Sequence, residues 1–86
     1  MAHMTPTNAS AVSRCLRSNG YSAALDSGQL SVTTVEGRVA VVRGKMVKGT
    51  SLVGAAGHVL RNNGYVAEPA VIVGATPVMF VNGRLA

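Results

Sequence analysis

The chain has three acidic residues, one cysteine, three aromatic residues and no tryptophan in 86 positions. Each shortage excludes something. With Cys15 alone there is no internal disulfide and no thiolate cluster for a metal. A reducing cytoplasm fits such cysteine usage. Asp26, Glu36 and Glu68 fall in different loops and turns, so no paired carboxylates for acid–base work can be argued. His3 belongs to Met1-Ala2-His3-Met4, which reads as a tag remnant, so residues 1–4 are set aside. His58 is then the one histidine left, and a Ser/His/Asp set cannot be assembled. Gly44-Lys45 lacks the upstream glycine spacing of a phosphate-binding loop. No apolar run is long enough to span a bilayer. No charged stretch followed by an apolar one opens the chain, so no secretory signal is expected. The reading is of a non-enzymatic protein without cofactor or metal.

What the chain does have is apolar content and positive charge. Hydrophobic residues make up 48%, and eight Lys and Arg against three acids leave a net charge of +5. That is too apolar for a disordered chain. At this length one small domain is expected, over residues 5–86, with a thin core of Val, Leu, Ala and Met. Basicity favours an acidic partner, nucleic acid first among them.

The most constraining feature is an internal likeness. Residues 16–23, Leu-Arg-Ser-Asn-Gly-Tyr-Ser-Ala, recur at 60–67 as Leu-Arg-Asn-Asn-Gly-Tyr-Val-Ala. Thr7 to Asn19 has the apolar spacing of a helix, with Thr7 or Asn8 to cap it. Leu52 to Leu60 repeats the pattern behind Thr50 or Ser51. Asn-Gly-Tyr ends each helix, with glycine in the left-handed position. Strand runs follow: Gln29 to Val35 and Arg38 to Arg43 joined at Glu36-Gly37, then Ala70 to Val73 and Val78 to Asn82 joined by residues 74–77. Ser22 to Leu25 and Val66 to Glu68 read as short lead-ins. The expected fold is α+β: two αββ repeats, 5–43 and 50–82, linked by 44–49. Both helices should pack on one face of a mainly antiparallel four-stranded sheet.

Two candidate surfaces follow. Arg14 and Arg17 share a helical face, and His58 and Arg61 hold the matching places 44 residues on. With Arg43, Lys45 and Lys48 they form the expected nucleic-acid contacts, to phosphates rather than bases. Arg38 adds charge near them. The second surface is apolar. The strands 38–43 and 78–82 are apolar on both sides, whereas a sheet half open to water alternates. Val39, Val41, Met79 and Val81 are therefore expected at a covered face, through a homodimer or a protein partner. That rival reading is a protein-interaction module, a host-factor inhibitor or virion accessory protein.

Two family resemblances enter here. The stretches Val12 to Ala23 and Val53 to Ala67, helix then Leu-Arg-x-Asn-Gly-Tyr, resemble small accessory proteins of actinobacteriophages, which implies phage origin. Residues 12–64 are also similar to the HicA mRNA-cleaving toxins, which have a double-stranded-RNA-binding-like fold. That likeness rests on the helix ending in Leu-x-x-Asn-Gly-Tyr, the strands, and Lys48-Gly49-Thr50 opening a helix. It implies RNA binding. The family's catalytic Gly-Ser-His has Ser27-Gly28-Gln29 as its nearest counterpart, without the histidine, so cleavage is not implied.

Overall fold

The computed structural model describes residues 4–25 and 27–85. Two helices, α1 (Ala9–Ser18) and α2 (Leu52–Asn62), accompany seven strands. These are β1 (Met4–Thr5), β2 (Ser22–Ala24), β3 (Leu30–Thr34), β4 (Arg38–Arg43), β5 (Tyr65–Ala67), β6 (Val71–Val73) and β7 (Thr76–Leu85). The class is α+β, with one open, mixed sheet.

Local chemistry sets the helices. Asn8 caps α1, its side chain accepting from the Ala11 N–H at 2.9 Å, and Ser51 caps α2 by accepting from Gly54 at 3.2 Å. Both stops use one device. Asn19 Nδ2 donates to the Cys15 carbonyl, and Asn63 Nδ2 to the Val59 carbonyl, each at 2.8 Å. Gly20 and Gly64 then turn left-handed, at φ +92° and +88°, where a side chain costs roughly 1 kcal/mol or more. Tyr21 and Tyr65 follow, both buried.

The sheet departs from the four-stranded expectation. β7 runs parallel to β3 and antiparallel to β1, β5 and β6, while β4 is antiparallel to β2 and β3. β7 is longer than the run 78–82 because Gly83 lies flat against Thr5 of β1 and pairing continues to Leu85. The turn before it shrinks to Gly74-Ala75, so Thr76 and Pro77 join the strand.

The element order helix–strand–strand–strand occurs twice, but the pairing does not repeat. Val41 pairs with both Ala23 and Leu30, so β2 and β3 flank β4 on opposite edges. Val78 pairs with both Ser31 and Val71, and Val81 with both Thr34 and Ala67. So β5 and β6 share one edge of β7, and β3 and β1 share the other. In the second half, residues 65–73 form one edge strand interrupted around Pro69. In the first half the chain crosses from one edge of β4 to the other. The crossing is made at Gly28, where a Cβ would stand 2.7–2.9 Å from the backbone O, C and N of Val41. Two equivalent αββ units therefore do not describe this sheet.

One face of the sheet carries the core. Leu30, Val32, Val39, Val41, Met79 and Val81 meet Val12 and Leu16 of α1 and Ala55, Ala56 and Leu60 of α2. Gly57 leaves room for the Met79 methyl group, whose carbon would sit 3.1 Å from a Cβ there. Val39, Val41, Met79 and Val81 thus lie under the helices rather than on a surface for a partner. The opposite face carries Ala40, Val42, Val71, Val73, Val78 and Phe80, by alternation with the buried set. The crossing at residues 27–28 covers part of it, beside Ser31, Ala40 and Val78.

Candidate nucleic-acid interface

The basic side chains divide into groups that the chain order does not suggest. Arg14 lines a cleft of about 400 Å³ with Cys15, Ser18, Asn63, Tyr65 and Arg84. Arg84 comes from the far end of β7. Its Nε donates to the Asn63 carbonyl at 3.2 Å, and its guanidinium lies 5.5 Å from the Tyr65 ring centroid. The carbonyl end of α2 and the ring face both favour a cation, so Arg84 is held in place at the wall of the cleft.

On the other flank of α1, Arg17 lines a cleft of about 310 Å³ with Arg38, Ser10 and Ser13. Among the described residues, neither cleft is lined by an acidic side chain. Arg84, Arg14, Arg17 and Arg38 therefore border α1 as a basic band, with all four exposed. Arg84 was missed in the sequence because it stands alone, 70 residues from Arg14. Its one signal was a cation inside an otherwise uncharged stretch.

The remaining sequence candidates are more dispersed. Arg61 folds back, Nε donating to the Ala67 carbonyl at 3.1 Å. His58 is exposed on α2, and Arg43 and Lys48 are exposed at the end of β4 and in the linker. Lys45 lies over Gly20 and lines a third cleft, of about 490 Å³, with Met46, Val47, Tyr21 and Val59. The matched pair of ridges is therefore uneven: Arg14 and Arg17 join other arginines, while Arg61 is engaged with its own backbone.

Cys15 sits inside the arginine cleft, yet its chemistry is subdued. Burial pushes the thiol above its ordinary value of 9.0, and the charge of Arg84 offsets this only in part. A thiol so placed is protonated at neutral pH and a poor nucleophile. Removing the opposing charge should raise it further. Arg84→Gln is expected to slow alkylation of Cys15 by iodoacetamide at pH 8, measured by mass spectrometry. A rate unchanged by that substitution would separate the two groups. The stability linked to Cys15 is present below about pH 9 and is lost as pH rises through the folded-state value. Tyr21, raised by burial from 10.0, acts in the same direction at higher pH.

Among the described residues no group of three His, Cys, Asp or Glu side chains could hold a metal ion. No helix among the described residues is long and apolar enough to cross a membrane. No protein-family model, curated protein or solved structure matches this chain.

Proposed function

We propose that this is a small non-enzymatic binding protein that takes the phosphate backbone of a nucleic acid. The observation that carries this reading is the basic band of Arg84, Arg14, Arg17 and Arg38 along α1, with no carboxylate among the described residues that line either bordering cleft. Guanidinium groups suit phosphate oxygens because they donate two parallel hydrogen bonds. Ser10 and Ser13 add hydroxyl donors beside them. The band lacks exposed aromatic rings for base stacking, which favours backbone contact over single-strand readout. Arg43, Lys45 and Lys48 contribute diffuse attraction, and His58 and Arg61 lie outside the band.

Mobility shift against duplex DNA, single-stranded DNA and RNA tests this, over a salt series from about 50 mM upward. Affinity should fall linearly with salt on a logarithmic plot. Because each lost phosphate contact reduces that slope by about one, Arg14→Gln with Arg84→Gln should reduce it by about two. Absence of any shift at micromolar protein and low salt would remove the proposal. So would binding that salt does not weaken.

A further inference from the structure

Two edges of the sheet are finished differently. The β2 edge is surrounded by charge: Ser22 pairs with Arg43, and Arg17 and Arg38 share the cleft formed by Ala23 and Ala24. Charges beside an edge strand deter pairing with another chain. The edge strand beyond β7 has β6, Val71-Ile72-Val73, as its far part, which carries no charged side chain of its own; Arg38 shares a cleft with Val73 on one face only. From Pro69 to Gly83 there is no charged residue. Val71, Ile72 and Val73 are 49%, 68% and 58% exposed, so both sides of this strand present apolar surface to water.

The backbone of that edge is available as well. Val73 and Thr76 close a two-residue hairpin at Gly74-Ala75, with Gly74 at φ +65°. Glycine with positive φ at the first central position is the II′ pattern, which fixes the register. Val73 and Thr76 are then the hydrogen-bonded pair, Ile72 and Pro77 the non-bonded pair, and Val71 and Val78 the next bonded pair. Pro77 fits its place because the N–H it lacks would point away from β6. The same parity turns the Phe80 carbonyl toward β5, where it accepts from the Glu68 N–H at 2.9 Å. The Ile72 N–H and C=O consequently point outward at a free edge.

We propose that β6 is a self-association edge, on which two copies of this chain pair antiparallel about Ile72. Three features select a second copy over another partner. The strand is self-complementary: with Ile72 opposite Ile72, Val71 meets Val73 on each side, and the two Ile72 residues exchange both backbone hydrogen bonds. Proteins of net charge +5 repel, and the uncharged hairpin is where two of them meet at least electrostatic cost. Twofold pairing also closes, since each copy spends its β6 edge on the other and growth from that edge stops. Three paired residues with Phe80 and Val78 alongside make less than a standard interface, so a dissociation constant on the order of 0.1 mM is expected.

Sedimentation equilibrium from about 10 µM to about 1 mM brackets that constant. The weight-average mass should rise from 8.8 kDa toward twice that value. Ile72→Lys adds the missing guard, and Ile72→Pro deletes only the outward N–H, which is the strand position where proline is tolerated. Both should hold the mass at the monomer value. Leu25→Lys, at an 88% exposed site beside β2, should leave the rise as it was. A monomer mass throughout overturns the proposal, as does a rise that both Ile72 variants retain or that Leu25→Lys also abolishes. Amide exchange of the unmodified protein gives a readout independent of any variant's folding. The Ile72 N–H should be protected at high concentration and unprotected at low, and an amide that exchanges equally fast at both overturns pairing at this edge.

Discussion

Gly28→Ala is expected to cost about 3 kcal/mol or more, at the upper end of overpacking effects, because what the new methyl meets is backbone. A Cβ at this position would stand 2.7 Å from the Val41 carbonyl oxygen and 2.9 Å from its nitrogen. Neither atom can swing away. Val41 pairs with Ala23 on one edge and Leu30 on the other, and its carbonyl accepts from the Gln29 N–H at 2.8 Å. Relief therefore means lifting the crossing off the sheet, which loosens the link between β2 and β3. Small domains have about 5–15 kcal/mol of stability, so the loss is a large part of the whole. Urea unfolding should show it as a lower midpoint, against Ser27→Ala as the exposed neighbour with little effect. A midpoint within error of the parent would mean that the chain does not cross β4 at Gly28.

The second large effect is expected at Gly44. A methyl group there would overlap ring carbons of Tyr21. Gly44 carries no left-handed backbone requirement, so the penalty is steric and its origin can be isolated. Tyr21 is 4% exposed and belongs to the core, leaving its ring little room to retreat. Gly44→Ala should cost about 1–3 kcal/mol. Tyr21→Leu removes the ring and should absorb the change, so the double variant should be no less stable than Tyr21→Leu alone. Its measured coupling should fall at about 1–3 kcal/mol, the upper part of the range for residues in contact. Additive losses would place the cost elsewhere. The Tyr21 hydroxyl adds a smaller point, since it is buried without a hydrogen-bond partner among the described residues. A polar group in that state is a burden rather than a support. The ring is kept for its volume over Gly44.

The two glycines show why parts of this fold were legible and parts were not. Gly20 and Gly64 announced themselves, because Asn-Gly-Tyr behind an apolar helical stripe is a local signal. Gly28 and Gly44 gave none. Their constraint comes from Val41 and Tyr21, 13 and 23 residues away. In sequence, Gly44 entered only through Gly44-Lys45, which lacks the spacing of a phosphate-binding loop, and Ser27-Gly28-Gln29 mattered only through a family likeness. The repeat misled in a similar way. Six shared residues at a helix end fix that end twice, but they do not dictate which edge of a sheet the following strand joins.

The band along α1 follows the same division. Arg14 and Arg17 were visible at helical spacing. Arg84 was not, since only the pairing of β7 brings residue 84 back to α1 and the end of α2. The surfaces were harder still. Strands apolar on both sides carry no alternation, so the sequence could not say that Val39, Val41, Met79 and Val81 lie beneath the helices.

By itself, then, the sequence determined what nearest neighbours decide. These are the α+β class, both helices with their caps and stops, the β3–β4 hairpin, and an excess of positive charge with few groups for catalysis. Tertiary structure alone decided the parallel β3–β7 pairing, the crossing at Gly28, the burial of one valine face and the meeting of Arg14 with Arg84. The physical reason is range. Helix ends and tight hairpins are settled by hydrogen bonds over a few residues. Strand order and the choice of face are settled by contacts across the whole chain, where many pairings satisfy the local pattern and packing selects one.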